Sequence, residues 1–151
     1  MAYSLKSVTI RTDNSEKGMA KINELWTDIM TGKIPLEFMN NGLPVKGLSP
    51  VSAYSAYESD EKGHYDLTVI SVTVDFFAKM EELAANGKYC KIDESGETIS
   101  DCANKAWTKV WELSATGELK RAFTTDYEST VPAEYTKDGK SHCYLYIALK
   151  K

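Results

Sequence analysis

Residues 98–111 read Thr-Ile-Ser-Asp-Cys-Ala-Asn-Lys-Ala-Trp-Thr-Lys-Val-Trp, and this segment carries the clearest helical signal in the chain. Thr98 stands in the N-cap position and Asp101 follows three residues later, in the pattern of a capping box. Gly117 lies just beyond the predicted end of the helix. We therefore predict a helix with one apolar stripe. Its members are Ile99, Ala103, Ala106, Trp107, Val110 and Trp111.

The first half of the chain predicts the same order of elements. Residues 7–12 are rich in β-branched side chains and predict a strand. Capping residues 13–15 then precede a second amphipathic pattern. A predicted hairpin follows, with strands at 51–58 and 65–74. The apolar residues of this earlier helix are Met19, Ile22, Leu25, Trp26, Ile29 and Met30.

The second half repeats this plan around the 98–111 helix. A short strand is predicted at 89–92, and two more strands at 119–128 and 142–149. Residues 76–87 are predicted to connect the halves, with at most one helical turn at 79–83. The order strand-helix-strand-strand thus occurs twice, without a residue-by-residue repeat.

Residues 33–50 are irregular, because proline, glycine and asparagine interrupt every period. Loops of this length in small domains are often functional. Residues 34–48 could form a rim or lid over a site, or a passive crossover.

The composition limits the function classes. The chain has 151 residues, of which 42% are hydrophobic and 26% charged, so we expect one domain with a continuous core. The net charge of -4, from 18 basic and 22 acidic residues, gives no basic surface for nucleic acid or an anionic membrane. The sequence shows no signal peptide and no long apolar run. We therefore predict a soluble cytoplasmic protein.

The residues that usually hold cofactors are sparse. Cys90, Cys102 and Cys143 are widely spaced, so neither a disulfide framework nor a zinc site is indicated. With only His64 and His142 available, a histidine-rich metal site is not predicted. The isolated glycines form no phosphate-binding loop. We expect no metal and no cofactor.

A carboxylate in an aromatic setting is the best candidate for chemistry. Residues 121–130 read Arg-Ala-Phe-Thr-Thr-Asp-Tyr-Glu-Ser-Thr, and they place Glu128 after the two tryptophans of the predicted helix. Because Trp107 and Trp111 are four residues apart, their rings share one helical face. A recess lined by rings and holding one acid attracts cations. The alternative is a buried helix seam beside an ordinary solvated acid.

Five ordered segments together resemble the GyrI-like small-molecule-binding family, the stand-alone relatives of the effector-binding domains of AraC-type and MerR-type multidrug regulators. The segments are 8–12, 54–65, the Trp107 helix, 125–128 and 145–150. The resemblance implies a single domain over residues 1–151 with an α+β fold. It also implies duplicated strand-helix-strand-strand units with pseudo-twofold symmetry, and an antiparallel sheet with two main helices and a central groove.

The resemblance also implies a site. Glu128 matches an inward glutamate that serves as a counter-charge, and Trp107 and Tyr146 match aromatic walls, with Tyr54 and Trp111 as further wall candidates. The chain departs from the family pattern at Tyr127, where phenylalanine is usual, and at Ala148, where proline is usual. The family's regulators carry a separate helix-turn-helix domain. Since nothing before the first strand could hold one, we do not expect direct DNA binding.

We therefore predict a cytoplasmic protein, monomer or homodimer, that binds an aromatic, cationic or amphipathic small molecule. Two alternatives remain open. The first is a hydrolase of strained electrophilic compounds that uses Glu128, with Glu58 as a speculative second acid. The second is an inhibitor of a protein partner, of the gyrase-inhibitor kind. No membrane or nucleic-acid partner is expected.

Overall fold

A computed structural model describes residues 7–31, 33–34, 39–40, 43–44, 49–58, 63–131 and 136–150. The chain divides into two units, Met1–Phe77 and Ala78–Lys151. The elements of the described part are, in order, β1 Ser7–Thr12, α1 Glu16–Met30, β2 Met39–Asn40, β3 Leu43–Pro44, β4 Ser49–Ser55, β5 Tyr65–Val72, α2 Val74–Ala85, β6 Tyr89–Gly96, α3 Ile99–Thr116, β7 Thr125–Val131 and β8 Ser141–Ala148.

The two units share one strand topology. In the first unit β5 lies between β1 and β4, and both pairings are antiparallel. In the second unit β8 lies between β6 and β7, again with antiparallel pairings. In both units the last strand is therefore central and the main helix follows the first strand. The predicted α+β class, with its repeated strand-helix-strand-strand unit, is confirmed.

The first unit packs α1 against β5. Leu25 and Ile29 of α1 join Leu67 and Val69 of β5 in one buried cluster. Ser15 caps the start of α1, because its hydroxyl accepts a hydrogen bond from the Gly18 N–H at 3.1 Å. A Cβ on Gly18 would lie 2.3 Å from the Asp13 carbonyl oxygen, so only glycine fits.

The second unit packs α3 against β6 and β8. The core face of α3 consists of Cys102, Ala106 and Val110, which recur at helical spacing. The predicted cap is confirmed, because the Thr98 hydroxyl accepts the Asp101 N–H at 3.1 Å. Gly117, at φ 83°, ends the helix in the left-handed conformation that glycine adopts at little cost. The strand residues of this cluster are Ile92, Cys143, Leu145 and Ile147.

The structure corrects the prediction for residues 76–87. They belong largely to α2, so a third helix accompanies the two main helices in the described part of the chain. Phe77, Met80 and Ala84 recur at helical spacing, and Met80 is buried. The N–H of Lys88 donates to the Leu83 carbonyl at 3.0 Å, which closes the last turn. None of the helices in the described residues is long and apolar enough to cross a bilayer.

The strand predicted at 119–128 is displaced. It begins at Thr125 and ends at Val131, because Phe123 has φ 55° and interrupts extended backbone. The strand predicted at 89–92 extends to Gly96. Much of the predicted rim or lid at 34–48 lies outside the described residues, as does part of the turn at 59–64. The two short strands within 34–48 pair with each other.

A buried ion pair anchors the start of β7. Arg121 Nη2 lies 2.8 Å from Asp126 Oδ2, and the side chains are 2% and 0% exposed. The other carboxylate oxygen of Asp126 accepts the Ala148 N–H at 2.8 Å. The Arg121 guanidinium also lies over the Phe123 ring, 4.3 Å from its centroid. The strand that carries Glu128 is thus fixed to the end of β8.

We expect Leu145→Ala to lower the free energy of unfolding by about 2–5 kcal/mol, because it leaves a cavity in a close-packed core. Leu145 is 0% exposed. Met30→Ala is the control, since Met30 is 53% exposed and should change stability by no more than about 0.5 kcal/mol. Urea denaturation measures both. Equal losses in the two variants would contradict the assigned core.

Arg121→Leu and Asp126→Leu should each lower the free energy of unfolding by about 3–5 kcal/mol, because each leaves an uncompensated buried charge. The double variant should lose clearly less than the sum of the two, since neither charge then remains. Chemical denaturation of the original protein, the two single variants and the double variant measures the coupling between the two side chains. Additive losses would show that the two side chains do not form a coupled pair.

Candidate functional site

Helix α3 places its two tryptophans beside its core face. Each follows a buried core residue, Trp107 after Ala106 and Trp111 after Val110, so each lies about 100° around the helix from that residue. Trp107 is half-buried against the core cluster. Trp111 is 41% exposed, so a large part of its indole surface contacts solvent.

Strand β7 places Glu128 on the same side of the sheet as α3. Glu128 is opposite Leu145 in the β7–β8 register, and Leu145 belongs to the core cluster under α3. Directly opposed residues in an antiparallel pair share a face. The Trp107 Nε1–H donates to Glu128 Oε1 at 3.0 Å. This hydrogen bond brings together two predicted site residues that are 21 positions apart in sequence.

The surroundings of Glu128 are apolar on the core side. Burial raises the pKa of the Cys143 thiol, and the negative charge of Glu128 raises it further. Cys143 is 0% exposed and opposes Thr130 in the register. Its thiol therefore stays neutral and serves as packing, whereas the half-buried Glu128 carboxylate accepts the hydrogen bond from Trp107 of α3.

The gap between the rings of Trp107 and Trp111 is too narrow for a third ring. The ring centroids of Trp107 and Trp111 are 6.4 Å apart and the planes are inclined by 32°. A planar group inserted between parallel rings needs roughly 7 Å, which is twice the carbon–carbon contact distance. The surface left for stacking is therefore the exposed part of Trp111.

The structure does not bring Tyr146 and Glu128 together. Tyr146 opposes Tyr127 and Lys91, one position along from Glu128, so its ring projects from the opposite face of the sheet. There its hydroxyl donates to Glu81 Oε1 at 3.0 Å, and Lys91 binds the same carboxylate. Burial and this hydrogen bond raise the pKa of Tyr146.

The carboxylate of Glu81 is a partner that the sequence did not single out. The Lys91 ammonium is the main cause of its lowered pKa. Lys91 Nζ also lies 5.1 Å from the centroid of the Tyr144 ring and 5.9 Å from that of Tyr146. These groups form a polar cluster in which the Lys91 ammonium neutralises the Glu81 carboxylate.

Tyr54 and Glu58 belong to the first unit. Tyr54 opposes Leu67 on the α1 side of that sheet, and its ring meets Tyr65 edge to face at 5.5 Å. Glu58 is exposed, and its Oε2 lies 3.6 Å from Nδ1 of His64. The predicted roles of Tyr54 as an aromatic wall and Glu58 as a second acid stay predictions.

The described residues contain no group of three or more histidine, cysteine, aspartate or glutamate side chains arranged to hold a metal ion. All three cysteines are free; Cys102 and Cys143 are buried, whereas Cys90 is half-buried.

Comparison with known proteins supports the fold. No protein-family model matches the chain, and no curated protein matches it. The crystal structure of an integron cassette protein from the mobile metagenome of Vibrio cholerae is similar, with a TM-score of 0.63 and 20% sequence identity. The similarity covers 95% of this chain and 88% of that one. At this identity the likeness concerns the fold alone.

Glu128→Ala should release the Trp107 indole N–H. We expect its proton resonance to move upfield and its exchange with water to become faster, because the acceptor is lost. Glu128→Gln should keep the resonance close to its original position, because the amide oxygen still accepts. Two-dimensional NMR of the indole region measures both, with Trp111 as an internal reference. An unchanged Trp107 signal in Glu128→Ala would contradict the hydrogen bond.

Proposed function

We propose that this protein binds small organic cations that carry an aromatic ring, with Glu128 as the counter-charge and Trp111 as the stacking surface. The observation that carries the proposal is the hydrogen bond from Trp107 Nε1 to Glu128 Oε1, 3.0 Å long, beside an exposed tryptophan. The GyrI-like resemblance points the same way and favours a protein that acts in the cytoplasm.

The position of the carboxylate favours a cationic ligand. Near a protein surface, opposite unit charges 4 Å apart attract by about 4 kcal/mol, against about 1 kcal/mol in bulk water. Glu128 is half-buried beside the core, so its field is screened less than that of an exposed acid. The Trp107 hydrogen bond holds the carboxylate in place before a ligand arrives, which reduces the entropy lost on binding.

The exposed ring favours an aromatic ligand. A cation over an indole face gains about 0.5–1 kcal/mol at an exposed site, and stacking buries further apolar area. Because the gap between Trp107 and Trp111 is too narrow for a third ring, the ligand ring stacks on the outer part of Trp111. One flat ring with one positive charge is the smallest ligand that uses both groups.

The binding test uses a matched ligand pair. Tryptophan fluorescence is titrated with an N-methylated aromatic cation and with its neutral isostere. We expect the cation to quench saturably and to bind more tightly than the isostere. Glu128→Gln, which keeps an acceptor for Trp107, should weaken cation binding about tenfold, equivalent to about 1.4 kcal/mol, and leave the isostere unaffected.

Glu112→Gln is the control variant. Glu112 is an exposed carboxylate on α3, next to Trp111 in sequence. Its replacement by glutamine changes the net charge by the same amount as Glu128→Gln does. It should leave the affinity for the cation unchanged. Equal weakening in the two variants, or equal affinity for cation and isostere, would contradict the assignment of Glu128. Release of a product from a reactive electrophile, lost in Glu128→Gln, would indicate the hydrolase instead.

A further inference from the structure

His142 is enclosed by two carboxylates from different parts of the second unit. Its Nδ1 lies 2.8 Å from Asp93 Oδ1 on β6, and its Nε2 lies 2.8 Å from Asp138 Oδ2. The imidazole side chain is only 14% exposed. Its ring stacks on Tyr144, with centroids 5.6 Å apart and planes inclined by 9°.

This geometry requires a proton on each ring nitrogen. A neutral imidazole carries one N–H and one lone pair, so it can donate to one carboxylate only. Both short contacts are favourable at once only for the imidazolium. After deprotonation, a ring lone pair faces the negative charge of either Asp93 or Asp138, and that contact becomes repulsive.

The contact to Asp138 also organises the segment 136–140, which precedes β8. Asp138 Oδ1 accepts the Lys140 N–H at 3.1 Å, and the Thr136 hydroxyl donates to the Lys140 carbonyl at 2.7 Å. The same aspartate thus holds the segment together through one oxygen and binds His142 through the other. His142 in turn connects the segment to β6 through Asp93.

We propose that His142 is a proton-dependent clasp that fastens segment 136–140 to β6 when it is charged and releases the segment when it is neutral. The clasp is independent of ligand binding at Glu128. It would make the order of segment 136–140 respond to a rise in pH through the raised pKa of His142.

The charges around the imidazole favour the closed state. Asp93 faces it from β6 and Asp138 from segment 136–140, Tyr144 of β8 stacks on it, and Lys91 of β6 lies over the Tyr144 ring. The opposed residue on β7 is the uncharged Val131. Lys91 is already bound to Glu81, so the two aspartates dominate. Their hydrogen bonds raise the pKa of His142, and the bond with Asp93 contributes more than the bond with Asp138.

The sign of the pH effect follows from these directions. Because the folded chain raises the pKa of His142, the clasp contributes fully below the ordinary histidine value of about 6.5 and is lost as pH rises through the folded value. The hydrogen bond from His142 lowers the pKa of Asp138 to about 2, so on the acid side the contribution persists until pH falls toward that value.

The test follows the His142 ring and the backbone amides of segment 136–140 by NMR between pH 5 and pH 9. We expect His142 to titrate at higher pH in the folded chain than in the urea-unfolded chain. Amide shifts in the segment, led by Lys140, should change with the same midpoint. Asp138→Asn should lower that midpoint, because one charged acceptor is lost while the Lys140 N–H keeps its acceptor.

Two further variants separate the clasp from a general charge effect. Glu94→Gln removes a neighbouring charge on β6 whose partner is Lys109, at 3.7 Å, and it should leave the midpoint unchanged. His142→Gln should abolish the pH dependence of the segment. The proposal is overturned if His142 titrates at or below its value in the unfolded chain, if the segment does not follow it, or if Asp138→Asn and Glu94→Gln act alike. The Asp138→Asn comparison decides the question even if His142→Gln does not fold.

Discussion

The geometry of the second unit depends on the buried ion pair between Arg121 and Asp126. Both side chains are almost fully removed from water, so each charge needs the other, and loss of one partner is far more costly than loss of both. The pair fixes the point at which the chain leaves the left-handed turn at Phe123 and enters β7. Glu128 lies two residues further on, so its side chain is directed to the same side as that of Asp126.

The two faces of that sheet have different chemistry because side chains alternate along β7 and β8. On the α3 face, a carboxylate lies beside tryptophan rings and a buried core. On the opposite face, the Glu81 carboxylate binds both the Tyr146 hydroxyl and the Lys91 ammonium. Because the charges of Glu81 and Lys91 neutralise each other, this pair attracts a charged ligand only weakly. The half-buried Glu128 carboxylate and the exposed Trp111 ring of the α3 face are therefore the candidates for binding.

The main helices of the two units show the same arrangement of apolar residues. In α3, Trp107 and Trp111 each follow a core residue, and in α1, Trp26 and Met30 follow Leu25 and Ile29 in the same way. Met30 is 53% exposed and Trp111 41%. In both helices the first member of this pair, Trp107 or Trp26, packs against the core of its own unit, whereas the second member, Trp111 or Met30, is exposed. The duplicated topology extends to the surface chemistry of the helices.

The sequence alone determined the class of the fold, the order of its main elements and the N-cap of α3 at Thr98, because these follow from local periodicity and from a side-chain hydroxyl. For α1 it offered residues 13–15 as capping candidates, of which Ser15 forms the cap. It also named Glu128 and Trp107. It missed most of α2, where adjacent phenylalanines obscured the helical spacing, and it misplaced the start of β7, which a positive φ at Phe123 determines. The tertiary structure alone decided that Trp107 binds Glu128, that Tyr146 lies on the other face, and that two aspartates enclose His142. These facts depend on strand register and on contacts between residues distant in sequence. A one-residue change of register would move every side chain of a strand to the opposite face of the sheet.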